Sequence, residues 1–160
     1  MNYFELYGIP EKPVTDKTSV SKKYIELQKK FHPDFYTNET EDEKEIALSQ
    51  SAEINKAYNI FINPDKTIEY FLQLKGIITP DEKYTLPADF LMEMMELNEE
   101  LDDHDTAETN STPKNYEKKL QQGIAGIYEL GSLGDEELLQ LKEYYYKKKY
   151  LKRILERLDD

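Results

Sequence analysis

Hydrophobic residues recur along much of the chain at intervals of three and four positions, which is the spacing of one face of an α-helix. One such stripe, in the segment after Asp16, consists of Val20, Tyr24, Leu27 and Phe31. A second, in the segment from Glu41 to Ile62, consists of Ala47, Ser51, Ile54, Tyr58 and Phe61. No run of alternating polar and apolar residues competes with this pattern as a strand. The sequence therefore predicts an all-α protein in which these two helices pack antiparallel.

Capping residues and helix breakers mark the ends of the helices in the first half. A short apolar turn from Tyr3 to Tyr7 comes first, and Asp16 is then a suitable N-cap for the helix that follows. A further helix is predicted from Pro64 to Lys75, and Gly76 suits its C-terminal cap. The stretch 76–86 has few periodic residues and contains a proline, so it predicts a linker.

The second half predicts three more helices. The first runs from Pro87 through Leu101, or as far as Glu108. Thr112 and Pro113 suit the N-cap and first position of the next, which we expect to end near Leu130. The last runs from Asp135 to about Leu158. The predicted division is thus an N-terminal domain (1–75), a linker (76–86) and a C-terminal three-helix bundle (87–160).

The composition argues against several classes of function. The chain carries 33 acidic and 21 basic residues, for a net charge of -12, which disfavours nucleic acid as a partner. It has no cysteine and two histidines, so we expect neither a bound metal nor a cofactor. No apolar run approaches the ~20 residues that span a bilayer, and the N-terminal residues do not resemble a signal peptide. We therefore expect a cytoplasmic protein with no membrane partner.

The tripeptide His32-Pro33-Asp34 lies between the two long helices of the first half. Pro33 cannot continue a helix and biases His32 away from helical geometry, so the tripeptide is expected to form an exposed helix end. The helix before it carries lysines away from its apolar stripe, named here the lysine face: Lys22, Lys23, Lys29 and Lys30. An ordinary solvated face is one explanation for these lysines. A small enzyme using His32 and Asp34 as an acid–base pair is another hypothesis, although catalysis needs a pocket and a third group.

The helix that begins near Pro87 is acidic and has apolar residues on two sides. Between Asp89 and Glu108 it has nine acids and no lysine or arginine. One narrow stripe is expected in the core: Phe90, Met94, Leu97 and Leu101. Other apolar residues fall mostly opposite, beside acids: Leu91, Met92 and Met95 with Glu96, Glu99 and Asp103. An exposed apolar strip of this kind favours a partner, although burial of both sides in a bundle is the alternative.

Residues 1–75 resemble a J domain. The matching residues are Tyr3-Phe4-Glu5-Leu6 with Gly8-Ile9, then Tyr24, Leu27 and Phe31 before His32-Pro33-Asp34, and finally Ile54-Asn55-Lys56-Ala57-Tyr58. Phe35 departs from the pattern, because J domains commonly have lysine or arginine there. The resemblance implies a co-chaperone that is not itself an enzyme. It would dock on a DnaK-type chaperone through the lysine face and the tripeptide, and would stimulate ATP hydrolysis by that chaperone.

The stretch from Phe90 to Asp102 is similar to the signature of the HscB family, the J-type co-chaperones of iron–sulfur cluster assembly, and this resemblance covers essentially the whole chain. It implies that the C-terminal domain binds the scaffold protein IscU and that the chaperone is of the HscA or DnaK type. The positions that would contact the scaffold are Leu91, Met92, Met95, Glu96, Glu99, Asp103 and Tyr150. The alternative is a J-domain co-chaperone with a different client.

Overall fold

The computed structural model describes the backbone of residues 1–103 and 111–159 and the side chains of residues 1–100 and 113–156. Within these ranges the regular structure is helical, which confirms the predicted all-α class. The α-helices are α1 (Tyr3–Tyr7), α2 (Lys17–Phe31), α3 (Glu41–Phe61), α4 (Pro64–Leu74), α5 (Ala88–Asp103), α6 (Ser111–Ile124) and α7 (Asp135–Asp159). Short 3-10 helices, Pro33–Tyr36 and Ala125–Glu129, follow α2 and α6.

The chain divides into two compact units, Met1–Phe71 and Leu72–Asp160. The division predicted from the sequence, with a linker at 76–86, stays a prediction beside this one. Each unit has its own apolar core, and the two are described separately below.

In the first unit, α2 and α3 form an antiparallel hairpin. Tyr24 of α2 stacks on Tyr58 of α3 with ring centroids 4.3 Å apart. Gln28, one turn later in α2, donates its amide to the side-chain oxygen of Asn55, which lies earlier in α3 than Tyr58, at 2.9 Å. The two helices therefore run in opposite directions. The hairpin buries residues of both predicted stripes: Val20, Leu27, Ala47, Ser51, Ile54 and Phe61.

Local hydrogen bonds explain where the helices of the hairpin begin. The carboxylate of Asp16 accepts from the backbone N–H of Thr18, which confirms the predicted N-cap of α2. The hydroxyl of Thr40 plays the same part for α3, by accepting from the backbone N–H of Glu43. Such caps satisfy backbone donors that have no partner within the helix.

An aromatic cluster closes the open end of the hairpin. Phe4 of α1 contacts Phe61 of α3 and Tyr70 of α4, with centroid separations of 5.0 and 5.6 Å. The buried Tyr7 hydroxyl donates to the backbone carbonyl of Ile54 at 2.8 Å. Burial raises the pKa of Tyr7, because the phenolate would lose its hydration. Because α1 has only five residues, these contacts of Phe4 and Tyr7 with α3 and α4 are what stabilise it.

In the second unit, α5 packs on α7 through the predicted core stripe. Phe90, Met94 and Leu97 form one buried cluster with Leu151 and Ile154 of α7. Partly buried residues pack around this cluster: Leu86, Tyr116, Leu120 and Tyr150. The side chain of Leu101, the fourth residue of the predicted stripe, lies outside the described side chains.

The segment 76–86 is fixed against α7 by an ion pair and a ring stack. Lys142 Nζ lies 2.6 Å from the carboxylate of Glu82, and the Tyr146 hydroxyl donates to the same carboxylate at 2.9 Å. Tyr84 stacks on Tyr146 with ring centroids 4.4 Å apart. The hydrogen bond from Lys142 lowers the pKa of the Glu82 carboxyl below its ordinary value.

The boundaries of α6 differ from those predicted. The helix begins at Ser111, so Thr112 lies within it and is not its N-cap. Its α-helical part ends at Ile124, and the chain continues as a 3-10 helix in place of the α-helix expected to run to about Leu130. A 3-10 helix has three residues per turn, which keeps Ile124 and Ile127 on one side, and both are buried. The expected extension of α5 to Glu108 lies outside the described residues.

Candidate functional site

The backbone around the tripeptide forms a sharp turn at the end of α2. His32 is extended, with φ -62° and ψ 133°, as expected of a residue that precedes proline. Its N–H still donates to the Gln28 carbonyl at 2.8 Å, which completes α2. Its carbonyl accepts from the N–H of Phe35 at 3.0 Å, which begins the 3-10 helix. The tripeptide is therefore a defined helix end.

The side chains of His32 and Asp34 lie close together and are exposed. The backbone N–H of Asp34 donates to His32 Nδ1 at 3.2 Å, and an Asp34 carboxylate oxygen lies 3.6 Å from the same nitrogen. Because Nδ1 accepts a hydrogen bond, the neutral imidazole carries its proton on Nε2. The tripeptide thus offers a donor at Nε2 and a carboxylate to a partner.

A hydrogen bond fixes the turn to α2. The hydroxyl of Tyr36 donates to the Lys30 carbonyl at 2.7 Å, which ties the 3-10 helix to the last turn of α2. The ring of Phe35 meets the His32 ring edge-on, with centroids 6.2 Å apart. The tripeptide is therefore held at the end of the lysine face.

The lysine face is exposed at most of its predicted positions. Lys22, Lys29 and Lys30 are exposed, whereas Lys23 is partly buried and lies 3.6 Å from Glu26. The Lys30 ammonium lies 5.2 Å from the centre of the Phe31 ring. The three exposed ammonium groups give α2 a positive outer surface although the chain as a whole is acidic.

A polar network between α2 and α3 was not predicted from the sequence. The Asn55 side-chain oxygen accepts from both the Tyr24 hydroxyl and the Gln28 amide, at 3.1 and 2.9 Å. The hydroxyl of Ser51 donates to the side-chain oxygen of Gln28 at 3.1 Å. The available signal was the spacing of four residues between Ser51 and Asn55, which places both on the same side of α3. These contacts fix the two helices beside the tripeptide.

An open cleft of about 360 Å³ lies beside the tripeptide, and we name it the Ile25–Phe35 cleft. Ile25 and Phe35 supply its apolar side chains and are 54% and 64% exposed. Its other lining residues are Tyr24, Gln28, Lys29, His32, Ser51 and Asn55. In the sequence, Phe35 is only a departure from the J-domain pattern, and Ile25 was not predicted as a site residue. A lone isoleucine on a lysine-rich helix face was the signal that was available.

The outer side of α5 carries exposed methionines. Met92 and Met95 are 63% and 61% exposed, whereas Met94 of the core stripe is fully buried. This confirms the predicted exposure of two of the three apolar residues; the third, Leu91, is partly buried. Two acids predicted beside them, Glu96 and Glu99, are exposed, and the side chain of Asp103 lies outside the described side chains. That these residues bind a scaffold stays a prediction.

Tyr150 is partly buried against α5. Its ring meets that of Phe90 edge-on, with centroids 6.0 Å apart, and so contributes to the core. The Tyr116 ring of α6 also contacts Phe90, and its hydroxyl donates to the Glu93 carboxylate. Burial and this carboxylate raise the pKa of Tyr116. The contact of Tyr150 with a scaffold stays a prediction, since the described geometry gives the residue a packing role.

In the part of the chain whose side chains are described, no three histidine, cysteine or acidic residues cluster in a way that could hold a metal ion. Across the described helices, none is both long and apolar enough to cross a bilayer.

Comparison with known proteins identifies relatives for both halves of the chain. Residues 86–159 match the family model of the HSCB C-terminal oligomerisation domain. Two curated proteins of Vibrio cholerae serotype O1, from the Ogawa and El Tor Inaba strains, are each named co-chaperone protein HscB homolog. Each is 44% identical over 103 residues, which span 64% of this chain and 60% of the relative. The match thus covers less than two thirds of the length of these relatives.

Two solved structures resemble the chain over 99% of its length. The chaperone HscB from Vibrio cholerae has a TM-score of 0.76 at 28% identity, with 96% of that chain covered. The human co-chaperone protein HscB has a TM-score of 0.83 at 27% identity, with 81% covered. Both support the predicted architecture of a J domain followed by a C-terminal helical domain. Together with the match of residues 86–159, they show that the chain is similar to HscB co-chaperones over nearly its whole length.

Proposed function

We propose that this protein is a cytoplasmic co-chaperone of iron–sulfur cluster assembly. It recruits an IscU-type scaffold protein to a chaperone ATPase of the HscA or DnaK type and stimulates ATP hydrolysis by that chaperone. The two activities use separate surfaces, one in each unit. The protein carries out no chemistry itself, and its effect is to promote cluster transfer to recipient proteins.

The observation that carries the proposal is the exposed tripeptide held at the end of the lysine face. Lysine ammonium groups attract an acidic docking surface from a distance and orient it. The tripeptide then presents the imidazole of His32 and the carboxylate of Asp34, whose positions are fixed by the hydrogen bonds of the turn. Contacts made only with the hydrolysis-competent state of the chaperone shift its population toward that state.

The outer side of α5 supports the second activity. Met92 and Met95 present flexible apolar side chains that adapt to the shape of a partner. The exposed Glu96 and Glu99 on the same helix favour a partner with basic residues around an apolar patch. Truncating central apolar contacts of this kind usually costs most of the affinity of an interface.

The first test measures the steady-state ATPase rate of an HscA-type chaperone. Wild-type protein should raise the rate, and His32→Gln should abolish the increase without lowering thermal stability, because the side chain is exposed. Asn38→Ala, a change at an exposed position of the loop that follows, is the control and should stimulate normally. Full stimulation by His32→Gln would rule out the proposed role of the tripeptide.

The second test measures binding of purified IscU-type scaffold by calorimetry. The double variant Met92→Ala with Met95→Ala should bind at least tenfold more weakly than the wild type. The same variant should stimulate the chaperone normally when no scaffold is present, because the tripeptide lies in the other unit. If the wild-type protein stimulates the chaperone but does not bind the scaffold, its client is a different protein.

A further inference from the structure

The Ile25–Phe35 cleft leaves two large apolar side chains in water on a surface that otherwise carries lysines. Neither side chain serves the core of the hairpin, since each is more than half exposed. Exposed apolar groups that line one concave surface are typical of a binding site.

Hydrogen bonds within the protein hold the residues that line the cleft before any partner binds. Three of its lining residues form one network, in which Gln28 joins Ser51 to Asn55, so these polar groups already have partners within the protein. Phe35, another lining residue, belongs to the 3-10 helix, which the hydrogen bond from the Tyr36 hydroxyl to the Lys30 carbonyl ties to α2. A preformed cleft of this kind loses little conformational entropy on binding.

We propose that the Ile25–Phe35 cleft is a specificity pocket for the chaperone ATPase, and that it receives an apolar side chain flanked by carboxylates on the docking surface of the chaperone. This inference rests on the proposed function. The cleft is continuous with the proposed docking surface, because His32 and Lys29 line it together with the two apolar residues. A partner that contacts the tripeptide and the lysine face must therefore cover it.

The chemistry of the lining residues defines the occupant. The apolar walls favour a leucine-sized or phenylalanine-sized side chain, because burying it also removes Ile25 and Phe35 from water. The Lys29 ammonium on the rim favours a carboxylate next to that side chain. Charge steers many acidic surfaces to α2, whereas the apolar contact selects among them those with a matching side chain.

The test compares alanine variants in the ATPase assay with purified chaperone. Phe35→Ala and Ile25→Ala should each raise the co-chaperone concentration for half-maximal stimulation by about tenfold, which is typical of an apolar anchor. Maximal stimulation should be retained, because the tripeptide is unchanged. Phe35→Leu keeps an apolar side chain and should stay within threefold of the wild type. The control is Leu48→Ala on α3, which removes a 61% exposed side chain that does not line the cleft and should have no effect.

The apolar contact also has a signature in salt. High ionic strength screens the lysines but not apolar burial, so the wild type should keep more of its binding at high salt than Phe35→Ala does. Circular dichroism should show that all variants are folded.

Wild-type half-maximal concentrations for both alanine variants would overturn the pocket while leaving the proposed function intact. Alanine variants that stimulate the chaperone normally but no longer bind the scaffold would also overturn the pocket, because they would assign the cleft to the client. Absence of stimulation by the wild-type protein with its cognate chaperone would overturn both.

Discussion

Alanine at Met94 should destabilise the C-terminal unit far more than alanine at Met92 and Met95 together. The three methionines lie within four consecutive positions of α5 and have the same side chain. They differ in where the helix places them: Met94 is fully buried among Phe90 and Leu97, and the other two are more than 60% exposed.

The expected magnitudes follow from burial. Complete burial of a methionine side chain is worth about 1.5–3 kcal/mol. Replacing Met94 also leaves a cavity, so its change should lower the free energy of unfolding by about 2–5 kcal/mol. Met92 and Met95 bury less than two fifths of their surface, and alanine is the better helix former. The double variant should therefore lose about 1 kcal/mol or less.

Urea unfolding followed by far-ultraviolet circular dichroism measures these differences, since the chain has no tryptophan to report by fluorescence. Because the chain has two compact units, hydrogen exchange of α5 and α7 amides gives a second measurement that reports the C-terminal unit alone. Exchange in α5 should accelerate strongly in Met94→Ala and little in the double variant.

Two results would refute this reasoning. Equal destabilisation by Met94→Ala and by the double variant would mean that α5 is buried on both sides, as the alternative from the sequence allowed. A double variant that loses more than about 2 kcal/mol would place Met92 and Met95 in a core. Either result would remove the physical basis for a client surface on this side of α5.

Three further predictions concern electrostatics and the polar network. Affinity for the chaperone should fall as ionic strength rises, and the double variant Lys22→Gln with Lys29→Gln should show a smaller fall. If the salt dependence of the affinity is the same in the double variant and the wild type, steering by the lysine face is excluded. The contact with Lys142 lowers the pKa of Glu82, so it stabilises the folded protein at pH values above 4.5, the ordinary pKa of a glutamate carboxyl. This stabilisation is lost as the pH falls through the lower pKa of the folded state. The free energy of unfolding should therefore decline less in Glu82→Gln than in the wild type between about pH 5 and pH 2, and parallel curves from urea titrations would contradict this. Asn55→Ala should lower the free energy of unfolding by about 1 kcal/mol, because two hydrogen bonds between α2 and α3 lose their acceptor. A thermal melt identical to that of the wild type would show that these bonds add no stability.

The helices and their buried faces were predictable because burial repeats with the period of the helix. Val20 and Leu27 on α2, and Ile54 and Phe61 on α3, are buried where the stripes placed them. Contacts that depend on distant parts of the chain leave no such period. The pairing of Glu82 with Lys142 joins residues sixty positions apart, so no pattern within the predicted linker indicated this contact.

The exposed apolar residues were predictable only where several of them fall together outside the core stripe of one helix. On α5 that stripe uses Phe90, Met94 and Leu97, so Met92 and Met95 were left over and their exposure could be predicted. On α2 the single leftover residue, Ile25, has no apolar neighbour on its face and gave no pattern. Ile25 becomes part of an apolar surface only because the turn after the tripeptide brings Phe35, ten positions away, to the same cleft. A turn enforced by one proline thus creates a surface that neither residue predicts alone. Apolar residues unused by any core stripe are for this reason the ones to test first when the partner of a helical protein is sought.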